Sequence, residues 1–225
     1  KSDLVVLPEM FTTGFSMNPG RLAEPMDGAT MQAVKEWARK FGLAVAGSFI
    51  AEEGNHYYNR AFFAEPGGQL ACYDKRHLFS MAGEDKHYTA GKQPLVVSYK
   101  GWNIALFICY DLRFPVWSRN TGNRYDMAVY MANWPEARAS VWKPLLLARA
   151  LENQAYVCGV NRTGVDGKGF AYRGGSVVYS PKGETILDAA DREEAVETAA
   201  LSYAGLDTFR TKFPVSNDAD TFHIG

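Results

Sequence analysis

The feature that most constrains the fold is a series of short apolar or alternating runs, separated by turns or by helical stretches. Each run has the length of a β-strand, and all are far shorter than the roughly 20 residues that a membrane-spanning helix needs. We therefore expect a soluble protein that contains several strands. These lie at residues 4–7, 43–51, 58–64, 69–73, 95–99, 103–109, 127–131, 156–161, 176–179 and 195–201.

Between the runs lie stretches with helical spacing, at residues 29–41, 116–123 and 140–154. Strand pairs joined by turns alternate with strands joined by helices. This pattern favours an α/β protein in which helices pack outside sheets, rather than a simple doubly wound sheet. No linker composition divides the 225 residues, of which 47% are hydrophobic, so we predict a single domain over residues 1–225.

The charges and the cysteines limit the classes of partner. Lys and Arg total 24 against 25 Asp and Glu, a net charge of -1 that favours neither nucleic acid nor an anionic membrane. We therefore expect a small-molecule partner. Three cysteines without a CxxC pair indicate no disulfide framework and fit a reducing cytoplasm. The four histidines lack metal-ligand spacing, so we expect no metal.

Three of the predicted strands end abruptly in residues that can carry acyl-transfer chemistry. A sharp turn at Cys109 would expose a thiol, with the backbone N–H of Tyr110 directed at an oxyanion. Glu9 follows an apolar run, where a partly desolvated carboxylate is suited to move a proton between a thiol and a leaving amine. Lys75 also follows a strand and is suited to stabilise a thiolate and the oxyanion.

Each of these residues also has an ordinary structural interpretation. A strand cysteine is more often a small core residue, as we predict for Cys72 and Cys158. A glutamate at the start of a loop is often a surface residue, and a lysine after a strand often lies in a solvated loop. Together, however, a base, a cation and a nucleophile at three strand ends form the set that cysteine-dependent acyl transfer requires.

The segments around these positions read Leu-Pro-Glu at residues 7–9, Tyr-Asp-Lys-Arg-His-Leu at residues 73–78 and Cys-Tyr-Asp-Leu-Arg-Phe-Pro at residues 109–115. In composition, order and spacing they resemble the three signature regions of the nitrilase superfamily of carbon–nitrogen hydrolases. The resemblance continues through residues 148–157 and 174–176, and so covers nearly the whole chain. Within the superfamily the chain looks closest to the bacterial omega-amidases, which act on 2-oxo acid amides.

The resemblance implies a role for each matching position. Glu9 corresponds to the general base, Lys75 to the catalytic lysine and Cys109 to the nucleophile. Glu84 corresponds to a second glutamate in the loop after the lysine, although Asp85 beside it is an alternative. The implied reaction releases ammonia from a small omega-amide of a dicarboxylic 2-oxo acid, of the 2-oxoglutaramate or 2-oxosuccinamate type, through a thioester.

Two alternatives to this function stay open. The same chemistry could act on N-carbamoyl amino acids, nitriles or other amides, because the shape of the pocket decides the substrate. A non-catalytic binding protein on the same fold is the alternative from another class.

The resemblance also implies the architecture. The fold is a four-layer α-β-β-α sandwich of the nitrilase type, assembled into a homodimer or a larger homo-oligomer and working without a cofactor. In that fold a strand and a helix precede the Leu-Pro-Glu segment, and this sequence has neither. We therefore expect the chain to begin inside a larger fold.

Four residues are candidates for substrate binding. Tyr110 offers its backbone N–H, and Arg113 could bind a carboxylate in a two-pronged way, although structural pairing beneath the nucleophile is an alternative. Trp134 follows a predicted strand and could line a pocket or simply pack. Phe11, with Phe15 nearby, could form an apolar wall, and core packing is again the alternative.

Overall fold

A computed structural model describes residues 2–224 of the chain. The described chain forms two compact units. The first comprises the described part of Lys1–Leu95 together with Phe107–Asp111 and Met131–Asn133. The second comprises Val96–Leu106, Leu112–Tyr130 and the described part of Trp134–Gly225. The single domain over residues 1–225 stays a prediction.

The first unit contains a four-stranded sheet. Its strands are β1 (Leu4–Val6), β2 (Ala44–Glu53), β3 (His56–Ala64) and β4 (Leu70–Asp74), in the order β1-β2-β3-β4. β1 pairs in parallel with β2, and the remaining pairs are antiparallel.

Two helices of this unit precede β2, namely α1 (Pro19–Leu22) and α2 (Ala29–Phe41). The apolar face of α2, with Met31, Val34 and Ala38, packs into a buried cluster with Phe49 and Phe62. Burial of this face is what stabilises the helix, and Gly42 ends it in a left-handed conformation.

The other strands form a six-stranded sheet and a short hairpin. They are β5 (Val96–Tyr99), β6 (Trp102–Ile108), β7 (Met127–Ala132), β8 (Tyr156–Asn161), β9 (Thr163–Val165), β10 (Ala171–Arg173), β11 (Val177–Tyr179) and β12 (Thr185–Asp188). The large sheet has the order β12-β11-β8-β7-β6-β5, and β9 pairs with β10. The helices of this part of the chain are α3 (Ala139–Asn153) and α4 (Tyr203–Lys212).

Short 3-10 helices occupy several connections, at Ser80–Ala82, Glu84–Lys86, Cys109–Arg113, Thr121–Asn123, Glu136–Arg138 and Val215–Asp218. The structure confirms the α/β mixture, nine of the predicted strands, and the predicted helices at residues 29–41 and 140–154. Within residues 2–224, no helix has both the length and the apolar character needed to cross a membrane.

Two predicted elements are wrong. Residues 195–201 form neither a strand nor a helix, and Val196 is 96% exposed, so this run has no buried face to reward strand pairing. The helix predicted at residues 116–123 is replaced by a short 3-10 helix at Thr121–Asn123. There Asn120 binds the backbone of Tyr125 and Asn153 through its side chain, which competes with a continuous helix.

Cys72 and Cys158 are less buried than the core positions predicted for them. Cys72 is exposed on β4, since the neighbouring Tyr73 takes the buried side of the alternating strand. Cys158 on β8 is half-buried.

Candidate active site

The turn at Cys109 has an unusual backbone. The buried strand β6 ends at Ile108, and Cys109 opens the following 3-10 helix with a φ of 43°. Side chains with a Cβ atom rarely adopt this left-handed conformation, which recurs at functional sites. The thiol side chain is half-buried. The sharp turn expected from the sequence is therefore present, and it brings the thiol out of the sheet.

Asp111 stabilises this turn from beneath. Its Oδ2 accepts hydrogen bonds from the Ile108 N–H at 3.0 Å and from the Tyr73 hydroxyl at 2.8 Å. Its Oδ1 accepts the backbone N–H of His77 at 3.0 Å and lies 2.8 Å from the Nδ1 atom of that residue. Asp111 thus ties the cysteine turn to the residues on either side of Lys75.

Lys75 lies in the interior, between two carboxylates. Its side chain is 1% exposed, and its Nζ donates to Oε1 of Glu9 at 3.0 Å and to Oε2 of Glu84 at 2.9 Å. Both carboxylate side chains are 0% exposed. The neighbouring Asp85 is exposed, so the structure places Glu84 rather than Asp85 in this cluster.

Asn59 on β3 joins the two carboxylates, and the sequence analysis missed it. Its Nδ2 donates to Oε1 of Glu9 at 2.8 Å and to Oε1 of Glu84 at 3.2 Å. Its Oδ1 accepts the Ser48 hydroxyl at 3.0 Å, so both ends of the amide are used. The available signal was an asparagine beside a buried apolar run, because buried amides need partners.

Asn133 is a second residue that the sequence analysis missed. Its backbone N–H donates to Oε2 of Glu9 at 2.9 Å, and its Nδ2 donates to the main-chain oxygen of Glu9 at 2.7 Å. The residue is 4% exposed and directly follows β7. It is therefore a polar residue at the end of a buried strand, the same signal that identified Glu9, Lys75 and Cys109.

Burial and charge shift the pKa values of this cluster. Burial by itself would lower the pKa of Lys75, but Glu84 and Glu9 raise that pKa above its ordinary value. Burial raises the pKa of Glu84, and Lys75 opposes this rise. Burial, followed by the charge of Glu9, raises the pKa of Cys109 well above its ordinary value, while Lys75 acts in the opposite direction.

The nearby side chain of Glu9 thus adds to the rise in the pKa of Cys109 that burial causes. Glu9 and Lys75 therefore act on the pKa of this thiol in opposite directions. The structure brings together Glu9, Lys75 and Cys109, which the sequence places at strand ends. Glu84, which the family resemblance implied, joins them. This arrangement can move a proton from sulfur to carboxylate while an ammonium group stands beside the sulfur.

Aromatic residues surround the cluster. The ring of Phe15 lies 5.4 Å from Nζ of Lys75. The backbone N–H of Phe79 donates to Oε2 of Glu84 at 2.6 Å, and its ring meets that of Tyr110 edge to face at 5.0 Å. Tyr110 therefore follows Cys109 in the chain and contacts the loop that carries Glu84.

Phe11 has different contacts from those of Phe15. Its ring packs edge to face against Phe62 at 6.0 Å and against Trp37 at 6.4 Å. These contacts belong to the apolar cluster beneath α2, which is the packing interpretation that the sequence left open. Among the aromatic residues after Glu9, the structure places Phe15 rather than Phe11 against Lys75.

Arg113 and Trp134 form a stacked pair in the second unit. The guanidinium carbon of Arg113 lies 5.1 Å from the ring centroid of Trp134. Trp134 is 3% exposed, and its Nε1 donates to the main-chain oxygen of Arg138 at 2.8 Å. Arg113 itself is exposed, and within residues 2–224 its guanidinium makes no ion pair or hydrogen bond. The contact that the structure gives the Arg113 guanidinium is the one with the Trp134 ring.

The described residues contain no group of three or more His, Cys, Asp or Glu side chains arranged to hold a metal ion. The buried carboxylates of Glu9 and Glu84 are both paired with Lys75. The site as built thus presents a thiol, an ammonium group and two carboxylates.

Comparison with known proteins identifies the family of the chain. The carbon-nitrogen hydrolase family matches residues 1–211. The chain is 47% identical to the Escherichia coli (strain K12) protein omega-amidase YafV over 222 residues, which cover 99% of this chain and 86% of that protein. It is 34% identical to the 2-oxoglutaramate amidase of Bacillus subtilis (strain 168), with 96% of this chain and 85% of that protein covered.

A solved structure is similar over the whole chain. It is the crystal structure of XC1258 from Xanthomonas campestris, described as a CN-hydrolase superfamily protein with an arsenic adduct in the active site. The two share 42% sequence identity and a TM-score of 0.97, and the match covers 100% of this chain and 87% of the other. These findings confirm the predicted nitrilase-type α/β sandwich and the predicted resemblance to omega-amidases.

Fold, site and relatives lead to one assignment. The match covers most of the chain, and the identity to several relatives exceeds what a shared fold alone requires. The chain belongs to the carbon–nitrogen hydrolase family and is an enzyme of that family, as the three strand-end motifs predicted.

Proposed function

We propose that the protein hydrolyses a small omega-amide of a dicarboxylic 2-oxo acid, of the 2-oxoglutaramate or 2-oxosuccinamate type, with Cys109 as the nucleophile. The observation that carries the proposal is the buried Lys75 ammonium, held by Glu9 and Glu84, whose charges together with that of Lys75 act on the pKa of the Cys109 thiol. The names of the Escherichia coli and Bacillus subtilis relatives support the class of substrate.

In the first half of the proposed reaction, Glu9 accepts the proton of Cys109 while the sulfur forms a bond to the amide carbon. The electrons of the C=O double bond move to oxygen, and the ammonium of Lys75 and the N–H of Tyr110 stabilise that oxyanion. Glu9 then returns the proton to the amide nitrogen. The C–N bond breaks, ammonia leaves, and a thioester of Cys109 remains.

In the second half, water takes the position of the departed ammonia. Glu9 accepts a proton from this water while the water oxygen forms a bond to the thioester carbon. The C–S bond of the resulting intermediate breaks, the acid leaves, and the sulfur of Cys109 takes the proton from Glu9. The enzyme thus returns to its starting state without any other reactant.

Glu84 and Asn59 act through Lys75 and Glu9 in this scheme. Glu84 keeps the ammonium charged and fixed in place, because it raises the pKa of Lys75 and binds its Nζ. Asn59 binds both carboxylates and holds them apart at a set distance. Both are positioning residues in the proposal.

Arg113 is the candidate for the distant carboxylate of the substrate. It lies in the same signature segment as Cys109, at the end of the 3-10 helix Cys109–Arg113. Trp134 supports the guanidinium from one side and leaves its N–H groups without a protein acceptor in residues 2–224. A guanidinium recognises a carboxylate through two parallel hydrogen bonds.

The test is release of ammonia from 2-oxoglutaramate, 2-oxosuccinamate, N-carbamoyl amino acids and nitriles. We expect the two oxo-amides to be the best substrates. If neither oxo-amide releases ammonia, the proposed substrate is excluded; turnover of another amide would still support the proposed chemistry.

We further expect Arg113→Ala to raise KM for the preferred oxo-amide roughly tenfold more than for propionamide, which has no carboxylate. Arg113→Lys is the matched variant that keeps the charge.

The remaining parts of the proposal concern the whole molecule. We propose a single-domain enzyme of the cytoplasm that works without cofactor or metal and assembles into a homodimer or a larger homo-oligomer. Light scattering on the purified protein measures the assembly directly.

A further inference from the structure

One polar atom of the Glu9 cluster has no protein partner. Asn133 is 4% exposed, yet its side-chain oxygen, Oδ1, accepts no hydrogen bond from residues 2–224. The amide nitrogen of the same side chain is used, since Nδ2 donates to the main-chain oxygen of Glu9 at 2.7 Å. Because the amide group is planar and rigid, this bond also fixes the direction of Oδ1.

Asn59 shows that the open oxygen is not a general property of amides in this cluster. Asn59 also binds Glu9, but its own oxygen accepts the Ser48 hydroxyl at 3.0 Å. A buried acceptor without a donor is costly, and nearly all such groups in folded proteins are satisfied. The open oxygen of Asn133 therefore calls for a donor that binds at this place.

The position of Asn133 indicates which donor this is. Its Nδ2 lies 3.4 Å from Oε2 of Glu9, and its backbone N–H binds that same carboxylate oxygen at 2.9 Å. In the proposed reaction, Glu9 delivers a proton to the departing nitrogen, so that nitrogen must lie beside this carboxylate. A primary carboxamide carries two N–H donors on its nitrogen, and one of them is free for a second acceptor.

We propose that Oδ1 of Asn133 accepts a hydrogen bond from the carboxamide nitrogen of the substrate and makes the site selective for amides over esters. An ester places an oxygen where the amide has its nitrogen. That oxygen offers lone pairs and no hydrogen, so it would face the Asn133 oxygen as one acceptor against another. This inference rests on the proposed amide hydrolysis at Cys109, but not on which acid carries the amide.

The test compares kcat/KM for the amide and the methyl ester of one acid, such as succinamic acid and monomethyl succinate. We expect Asn133→Leu to lower the amide-to-ester ratio about tenfold or more, since the amide alone loses a hydrogen bond. Asn133→Ala, which also keeps the backbone N–H to Glu9, is expected to shift the ratio in the same direction. This second variant serves if the leucine disturbs folding.

Asn59→Leu is the matched control. It removes a donor to Glu9 and Glu84, but its own oxygen is already satisfied by Ser48. We expect this variant to slow amide and ester together, so that the ratio stays at the wild-type value. Both rates depend on Glu9, and this control therefore measures the effect of disturbing the base alone.

Three results would overturn the inference. Equal loss of amide and ester turnover in both Asn133 variants would assign Asn133 to the positioning of Glu9, with only water on its oxygen. A shift of the ratio in Asn59→Leu as large as in Asn133→Leu would remove the specific role. A wild-type enzyme that releases ammonia from no amide would overturn the proposed function and this inference together, whereas an unchanged ratio in an active enzyme would overturn the inference alone.

Discussion

Two lysines of this protein pair with carboxylates in opposite surroundings. Lys143 on α3 binds Asp188, and the side chains of this pair are 34% and 47% exposed. Lys75 binds two carboxylates, and its own side chain is 1% exposed while theirs are 0% exposed. The same chemical pairing thus occurs once in contact with water and once in the interior.

The difference shows what a buried charge cluster costs and why it is kept. An exposed pair is screened by water and contributes about 0–1 kcal/mol to stability. A buried pair must first lose its hydration, and apolar side chains of similar volume are often equally stable in its place. Here Asn59, Asn133 and Phe79 supply the extra hydrogen bonds that the buried charges need. Because stability does not require this charge cluster, we infer that it is kept for catalysis.

The largest expected effect comes from the sulfur that the cluster surrounds. Cys109→Ala should lower turnover by at least roughly 10⁴-fold, because no other group can form the thioester. The free energy of unfolding should stay within about 1 kcal/mol of wild type, since the change removes one half-buried atom. Ammonia release and urea unfolding measure the two quantities. Cys72→Ala, at an exposed thiol, should keep wild-type turnover.

A substantial rate in Cys109→Ala would break the link between the buried charges and the nucleophile. The charge cluster of Lys75 would then need a purely structural explanation.

The comparison of the two lysines can itself be tested. Lys75→Met should abolish turnover and lower the free energy of unfolding by roughly 3–5 kcal/mol at neutral pH, because Glu9 and Glu84 are left as neighbouring buried carboxylates. Lys143→Met, the matched control, should cost at most about 1 kcal/mol and leave turnover unchanged. Equal losses of stability in the two variants would contradict the distinction.

The stability loss in Lys75→Met should also depend on pH. Burial raises the pKa of Glu84, and removing Lys75 removes the group that opposes this rise. The folded state then binds a proton more tightly than the unfolded state, so stability falls as pH rises above the unfolded pKa of a glutamate. We expect the loss to be greatest at neutral pH and to shrink in mildly acidic buffer. A loss that does not change with pH would show that Glu84 takes up no proton.

A smaller effect should separate two adjacent acids. Glu84→Gln keeps the shape of the side chain and can still accept the Phe79 N–H, but it removes the charge that most raises the pKa of Lys75. We expect kcat to fall roughly 10²-fold. Asp85→Asn changes an exposed acid next to it and should stay within about twofold of wild type. Similar losses in the two variants would place the second carboxylate elsewhere.

The sequence identified part of this site for a definable reason. Glu9, Lys75 and Cys109 stood out because each follows a strand-like run of the sequence and the three together form the set that acyl transfer requires. Glu84 came from the family resemblance, since nothing local separates it from Asp85. Asn133 also follows a strand directly, but the sequence analysis considered only Trp134, the residue after it, as a candidate.

Other features depended on contacts that no local pattern contains. Asn59 gains its role from Glu9 and Glu84, which lie 50 and 25 residues away along the chain. Phe11 and Phe15 are the same residue type and lie four positions apart in the sequence. Phe11 nevertheless packs beneath α2, whereas Phe15 lies against Lys75. Residues 195–201 show the reverse, because strand-like residues without a partner form no strand.

The sequence by itself determined nine of the strands, the signature segment at Cys109 and the family, because alternation and signature segments are local properties of the chain. Only the tertiary structure decided the electrostatics of the site. Lys75 meets Glu9 across 66 residues and Glu84 across 9, and burial removes the water that would otherwise separate their charges. Burial and hydrogen-bond satisfaction arise from packing of distant segments, so the raised pKa of Cys109 and the open oxygen of Asn133 became visible only in the folded chain.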